Sequence, residues 1–150
     1  VGSKNKSLSF LAKSSVIVGY LFFFFIFLDR YFVHAPVANS QAWGYGYLPM
    51  IQFVEKRLAD YDRIVITQKS HWPEDYWFFY SQDQTIPEKI VFRNLHWPKD
   101  RFEKNTLYVG GTYEIPESDL DPNQVEVLEE IFFLDGQLAF RIVATKGEDK

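Results

Sequence analysis

A chain of 150 residues is long enough for one domain of ordinary size and a short additional element. Its composition, 47% hydrophobic and 19% aromatic, supplies a buried core and excludes a disordered tail. The net charge is +3 through Val33, which leaves −7 for residues 34–150. This acidic part excludes nucleic acid as the expected partner, since phosphates need a basic face. The lack of cysteine excludes disulfides and thiolate zinc sites.

The N-terminal segment is apolar enough to cross a membrane. The stretch LSFLAKSSVIVGYLFFFFIFL, residues 8–28, would form a helix of about 31 Å if Lys13 extends its ammonium group toward the headgroups. We therefore predict a cytoplasmic flank and transmembrane helix in residues 1–33, with the span from about Leu8 to Val33 in the lipid bilayer. Basic residues lie mainly before the span, which predicts a cytoplasmic N-terminus and an extracytoplasmic domain, residues 34–150, at the plasma membrane.

Two alternatives for this segment stay open. A cleaved signal peptide also has a basic start and a short apolar core, and VHAPVA at 33–38 offers small residues. A buried helix of a soluble domain is the other, although four consecutive phenylalanines favour lipid. In the membrane interpretation Tyr31 and Phe32 lie at the outer interface, and Pro36 ends the helix.

A helix is predicted at the start of the external domain. Ser40 is expected to cap it, and Pro49 either stands in its first turn or kinks a longer helix that begins near Ser40. The residues at helical spacing that support it are Tyr47, Met50, Ile51, Val54, Leu58 and Tyr61.

Three strands and a short helix follow in an order typical of a parallel sheet. The segments DRIVITQ, KIVFRNL and NTLYVGG, at 62–68, 89–95 and 105–111, are rich in β-branched and aromatic residues. Pro73 opens a helix between the first two. The order predicts an α/β fold with about three central strands and parallel pairs.

An antiparallel hairpin is predicted at residues 125–145. Asp135-Gly136 between two strand-like runs indicates a two-residue turn. That turn places Glu130 opposite Arg141 on the outer face. The opposite face is expected to join the core through Val127, Ile131, Phe133, Leu138, Phe140 and Ile142.

Candidate ligand or partner contacts come from aromatic residues beside the strands. Both the first and the second strand lead into a His-Trp-Pro triplet, which places His71, Trp72, His96 and Trp97 where α/β sheets bind ligands. Sugar or peptide contact is one interpretation and packing of loop aromatics is the other. Zinc, with His34 as a third ligand, lacks supporting ligand spacing. The further candidates Tyr45 and Tyr47 lie in AWGYGY, which either packs the first external helix or lines a substrate site.

Catalytic motifs are missing from the sequence. Glu74 and Asp75 are adjacent, so they point about 100° apart on a helix and suit its N-terminal dipole. No G-x-S-x-G, P-loop or G-x-G-x-x-G pattern occurs. We predict neither a metal nor a cofactor.

Several motifs together resemble a known family. They are YFVHAP, AWGYGY, YDRIVIT, FFY, FRNLHWPKD, LYVGG and FLDGQLAFRIV. They are similar to the C-terminal end of bacterial membrane glycosyltransferases of the dolichyl-phosphate-mannose protein mannosyltransferase type, in the GT-C superfamily. The similarity covers about residues 14–146.

The resemblance implies a last membrane helix followed by a small external domain of an enzyme that moves sugar from a polyprenyl-phosphate carrier. The family's catalytic acids lie in the first external loop of the whole protein, and nothing here matches them, so no catalytic residue is assigned. The implied partners are the upstream transmembrane portion and, through it, the carrier-linked sugar. We predict that the chain alone transfers nothing. The alternative function is a single-pass anchored module that binds a partner through an aromatic external face.

Overall fold

The computed structural model describes residues 2–69 and 72–146, with side chains from Phe10 onward. The described chain divides into two compact units, Val1–Asn39 and Ser40–Lys150. Their helices are α1 (Gly2–Asp29), a π-helical turn (Arg30–His34), α2 (Ala35–Ala38), α3 (Tyr47–Lys56), α4 (Pro73–Tyr80), α5 (Trp97–Asp100) and a 3₁₀ turn (Glu117–Asp119). The strands are β1 (Arg63–Ile66), β2 (Ile90–Phe92), β3 (Thr106–Gly110), β4 (Val125–Phe132) and β5 (Leu138–Thr145).

The N-terminal unit is helical. Within the described residues, Phe10–Ala38 is the one helix with the length and composition to cross a membrane, and none of its most apolar window is buried. This exposure argues against the alternative of a buried core helix. The prediction that Pro36 ends the helix is wrong: the π-helical turn widens the backbone just before Pro36, and helical structure continues to Ala38. Widened turns commonly accommodate the ring and the missing amide of proline.

The second unit is an α/β domain, as predicted. Within the described residues, five strands form one mixed sheet in the order β2-β1-β3-β5-β4. β1 pairs in parallel with β2 and β3, while β5 pairs antiparallel with β3 and β4. The predicted hairpin is therefore part of the central sheet, because its strand β5 pairs with β3.

Apolar residues on both faces of the sheet are covered. On one face α3 and α4 pack through Met50, Ile51 and Trp77 against strand residues such as Ile64 and Leu107. The other face carries the cluster of Val65, Trp97, Tyr108, Ile115, Val125 and Val143. Successive side chains along β1 and β3 point to opposite faces of the sheet, so each strand contributes to both clusters.

Of the two alternatives for Pro49, the structure has the first, a helix α3 with the proline in its first turn rather than a longer helix kinked at Pro49. Its N-cap is Gly46, and Pro49 stands in the first turn, where its missing amide costs no helical hydrogen bond. The proposed cap, Ser40, is instead buried before the helix. The predicted apolar stripe is confirmed, with Tyr47, Met50, Ile51 and Val54 buried and Leu58 and Tyr61 packed against the core.

The hairpin register is confirmed at its centre, but the predicted turn is wrong. Phe133 donates its amide to the Gln137 carbonyl, so the loop has three residues and ends at Gly136 with φ +83°. A register shift between Ile131 and Phe132 compensates for the extra residue and restores the pairing of Glu130 with Arg141. The G1-type arrangement of a turn followed by left-handed glycine explains the change.

A second irregularity in β4 overturns one core assignment. The register shifts again between Val127 and Glu129, which reverses the inward and outward alternation of the strand. Val127 is consequently exposed, and Leu128 packs against the core instead. Arg141 was expected on the outer face, yet it is buried, with Nη1 donating to the Ile115 carbonyl at 2.7 Å.

Candidate functional site

The carboxyl ends of the three parallel strands meet at one edge of the sheet. Because β1 pairs in parallel with β2 and β3, the segments that begin at Thr67, Arg93 and Gly111 leave the sheet on the same side. Open α/β sheets bind ligands at this edge. We call it the carboxyl edge and treat it as the candidate functional site.

A buried carboxylate joins the three segments. Glu114 is 7% exposed, and its Oε1 accepts hydrogen bonds from Thr67 Oγ1 at 2.6 Å and the Leu95 amide at 3.4 Å. The Gly111 amide donates to Oε2 at 3.4 Å. Each strand end thus supplies one donor. Because both oxygens are engaged and shielded from water, Glu114 holds the edge together rather than being free to act as a general base.

A cleft of about 270 Å³ lies at this edge beside Glu114. Its polar rim includes Lys69, His96 and Asp119, and Trp97 and Tyr113 supply aromatic surface. The two basic side chains and the carboxylate are able to hydrogen-bond a small polar ligand. Among the described lining residues there is no serine, threonine or cysteine beside a base, so the arrangement favours binding over covalent catalysis.

An ion pair fixes the segment that follows β2. Arg93 donates to both carboxylate oxygens of Asp100 at 2.9 Å, and the His96 amide donates to Asp100 Oδ2 at 2.6 Å. Burial by itself would raise the pKa of Asp100, but the hydrogen bonds and the charge of Arg93 outweigh it and hold that pKa below its ordinary 3.8. The backbone of His96 is therefore tied to the fold through Asp100.

Replacing Asp100 with asparagine should lower the free energy of unfolding by about 2 kcal/mol at neutral pH, since it removes the charge that Arg93 pairs with. A carboxylate with a lowered folded-state pKa stabilises the protein above its unfolded-state pKa, and loses this contribution as the pH falls through the folded-state value. The difference between the wild-type protein and Asp100→Asn should therefore shrink below about pH 4. Urea unfolding at pH 7 and pH 3 measures it.

The matched control is Asp83→Asn, which changes an exposed aspartate and should alter stability by less than about 0.5 kcal/mol. A stability loss in Asp100→Asn that is the same at both pH values would show that the charge of Asp100 is not what stabilises the segment.

A second cleft, of about 520 Å³, lies beside α4. It is lined by Trp72, Asp75, Tyr76, Phe79 and Tyr80 and is mostly apolar. Trp72 precedes α4 in a left-handed conformation, φ 33°, and is 76% exposed. We call this cleft the aromatic groove.

A third cleft, of about 510 Å³, lies at the tip of the β4–β5 hairpin. Gln41, Thr112 and Gln137 supply polar groups there, and Tyr47 forms part of the wall. Burial raises the pKa of Tyr47, and the neighbouring Tyr76 and Glu74 add to the effect, so its hydroxyl stays protonated at physiological pH. The ring of Tyr47 stacks on that of Tyr76 with centroids 4.0 Å apart.

The candidate residues from the sequence do not form one site. His96 and Trp97 lie at the carboxyl edge, where His96 is exposed and Trp97 is only 2% exposed, packed edge-on to Tyr108. Trp72 lines the aromatic groove, Tyr47 is buried beside the hairpin-tip cleft, and Tyr45 is half exposed. The remaining candidate, His71, lies outside the described residues. Ligand contact by these residues stays a prediction.

Sequence reasoning missed Glu114 and Asp100. Each acid lies in the segment that follows a strand, but so does the exposed Glu117, and local pattern does not distinguish them. Glu114 is buried where three segments meet at the carboxyl edge, whereas Asp100 is held by Arg93 and His96 of its own segment. Within the described part of the chain, no group of three or more histidine, aspartate or glutamate residues is placed to hold a metal ion.

Comparison with known proteins adds no family assignment. No family model matches the chain, and neither a curated protein nor a solved structure matches it.

Proposed function

We propose that this chain is the last membrane span and the non-catalytic extracytoplasmic domain of a polyprenyl-phosphate-sugar-dependent membrane glycosyltransferase. One observation carries the proposal: an apolar helix exposed on all sides, Phe10–Ala38, leads almost directly into an α/β unit that begins at Ser40. An exposed helix of this composition needs lipid or other apolar helices around it. The motifs at residues 14–146 that resemble the GT-C enzymes supply the chemical class.

The position of charge supports the orientation. The basic residues Lys4, Lys6 and Lys13 precede the most apolar stretch, which favours a cytoplasmic N-terminus and an external α/β domain at the plasma membrane. Lipid surrounds the helix in this arrangement, and the upstream membrane portion of the enzyme is its protein partner.

The chemistry of the carboxyl edge supports a non-catalytic role. Transfer from a carrier phosphate requires an available acid or base and positive charge for the departing phosphate. Glu114 and Asp100 are both engaged in structural hydrogen bonds, and the external part carries a net charge of −7. The domain is therefore better suited to position or support the enzyme than to perform its reaction.

A second candidate function is a single-pass anchored module that binds a partner by its external aromatic residues. The observation in its favour is the high exposure of Trp72, Phe79 and Tyr113. The two candidates differ in what the apolar helix contacts: other membrane helices of a transferase, or lipid alone.

The membrane arrangement is tested by a single cysteine in this cysteine-free chain. We expect Ser118→Cys, at an exposed position in the external unit, to react with a membrane-impermeant maleimide in intact cells, and Ser3→Cys to react only after lysis. The chain should also stay with the membrane in alkaline carbonate. Release by carbonate would contradict an anchor, and a mature N-terminus near residue 39 would favour a signal peptide.

The transfer reaction separates the two candidates. We expect purified chain in detergent to move no sugar from a polyprenyl-phosphate donor, and to restore transfer when it is combined with a membrane portion that lacks this domain. Turnover by the chain alone would overturn the non-catalytic assignment. Failure to associate with any membrane portion, with the helix correctly inserted, would favour the anchored module.

A further inference from the structure

Helix α4 presents aromatic side chains to solvent in a way that the packing of the domain does not require. Trp72 and Phe79 are each 76% exposed and share the aromatic groove with Tyr76 and Tyr80. Large apolar side chains grouped around an open groove usually mark a surface that something covers. The side chain of Phe79 has no polar atom that could form a hydrogen bond with water.

The groove is held in shape by stacked rings. Tyr76 lies between Tyr47 and Tyr80, with ring centroids 4.0 and 6.2 Å away and rings nearly parallel to both. Phe79 meets Tyr80 edge-on at 4.8 Å. Because Tyr47 is anchored in the core, this series of contacts fixes α4 and its exposed side chains to the domain.

Two further exposed aromatic residues flank a glycine that approaches Tyr76 of the groove. Trp43 and Tyr45 are half exposed, and Gly44 between them approaches Tyr76 so closely that a Cβ on Gly44 would lie 2.6 Å from the tyrosine ring. The segment that follows the apolar helix is thus packed on the groove. We define the aromatic face as Trp43, Tyr45, Trp72 and Phe79.

We propose that the aromatic face inserts into the headgroup and acyl boundary of the bilayer that the chain's own helix crosses, an inference that rests on the membrane anchoring proposed above. Tryptophan, tyrosine and phenylalanine are the residues that favour this boundary. The helix ends at Ala38 and the external unit begins at Ser40, so the covalent connection keeps the face at high effective concentration near the lipid.

Charge and polarity favour lipid over other occupants. Among the residues that line the groove, Asp75 is the one acidic residue and the other four are aromatic, so apolar contact outweighs hydrogen bonding there. The net charge of −7 on residues 34–150 opposes attraction to anionic lipid. The aromatic lining and the negative net charge together favour apolar insertion into zwitterionic lipid.

The tryptophans make the proposal measurable on the full chain. All four lie in the external unit, and Trp77 and Trp97 are buried in the core. The chain is reconstituted in phosphatidylcholine vesicles, with or without bromine on the acyl chains near the headgroup. In the Trp43→Phe variant we expect brominated lipid to quench tryptophan emission through Trp72.

Two further variants show whether the aromatic face is responsible. Adding Trp72→Phe to Trp43→Phe should abolish the quenching, because the two remaining tryptophans are buried. Adding Phe79→Ser instead should weaken the quenching of Trp72, and this exposed position allows the substitution without loss of core packing. Equal quenching in all three variants would overturn the proposal, since it would come from tryptophans outside the aromatic face.

Flotation of the same vesicles separates this inference from the anchoring. A chain that floats with the vesicles while Trp72 is not quenched overturns the inference and leaves the anchor in place. A chain that does not float with the vesicles would contradict both the membrane anchoring and the insertion of the aromatic face. Protection of Trp72 from an aqueous quencher without quenching by brominated lipid would assign the face to a second copy or another partner, and would also overturn it.

Discussion

Replacing Gly44 with valine should lower the free energy of unfolding of the α/β unit by about 3 kcal/mol or more. The backbone at Gly44 has φ +63°, which is strained for a β-branched residue by about 1–3 kcal/mol. The new Cβ would also lie 2.6 Å from the ring of Tyr76, which is held by the stacked Tyr47. Overpacking adds about 1–3 kcal/mol because the tyrosine cannot move without breaking that stack. Urea unfolding followed by far-ultraviolet circular dichroism measures the loss.

Two other glycines separate strain from crowding. Gly136 has φ +83° and open space around it, so Gly136→Val should cost only the backbone strain, about 1–2 kcal/mol. Gly111 has neither a positive φ nor a neighbour within 4 Å, and Gly111→Val should be close to neutral. If Gly44→Val costs no more than Gly136→Val, the close approach of Gly44 to Tyr76 is not maintained in solution.

The second large effect is expected at the carboxyl edge. Glu114→Ala should lower the free energy of unfolding by about 2–3 kcal/mol, because it leaves the buried hydroxyl of Thr67 and the amides of Leu95 and Gly111 without their charged acceptor. Since the acid joins the ends of three strands, the loss should also increase amide hydrogen exchange in all three segments. Glu117→Ala, at an exposed acid nearby, is the matched control and should change stability by less than about 0.5 kcal/mol.

A double-mutant cycle tests the central hydrogen bond. Thr67→Val removes the donor at 2.6 Å with little change in volume, and it should cost less once Glu114 is already alanine. We expect a coupling energy of about 1–2 kcal/mol between the two positions. Additive effects of the two substitutions would show that Glu114 stabilises the edge through other contacts.

Elements with a strong local pattern were predictable. The strand segments at 62–68, 89–95 and 105–111 contain β1, β2 and β3, and the first two pair in parallel as expected. Pro73 begins α4, with both acids in its first turn. Proline at a helix start and β-branched runs act through local backbone sterics, which the sequence carries without reference to distant residues.

Features that depend on distant packing were missed or wrong. The sequence indicated a two-residue turn at Asp135-Gly136, whereas the structure has a three-residue loop whose extra residue is absorbed by a bulge in the strands. The same kind of irregularity exposed Val127 and brought Leu128 to the core. Several turn and bulge combinations are compatible with one glycine, and sheet packing selects among them.

For the candidate sites, too, local pattern predicted some features and distant packing decided the others. Parallel pairing predicted that the first two strands end at the same edge of the sheet, but the sequence did not show that Trp72 and Trp97 line different clefts, with Trp72 exposed and Trp97 buried. It also did not identify Glu114 as the acid that joins three strand ends. Burial of a loop side chain is decided by which other loops fold over it.

The sequence by itself determined the apolar helix, the α/β class and the presence of the hairpin, because these follow from composition, periodicity and the glycine between two strand-like runs. The tertiary structure decided that β5 joins β3, that Arg141 and Glu114 are buried, and that the aromatic groove stays open beside α4. Those outcomes depend on contacts between residues far apart in sequence, where shape and hydrogen-bond satisfaction select one arrangement among several that the local pattern allows.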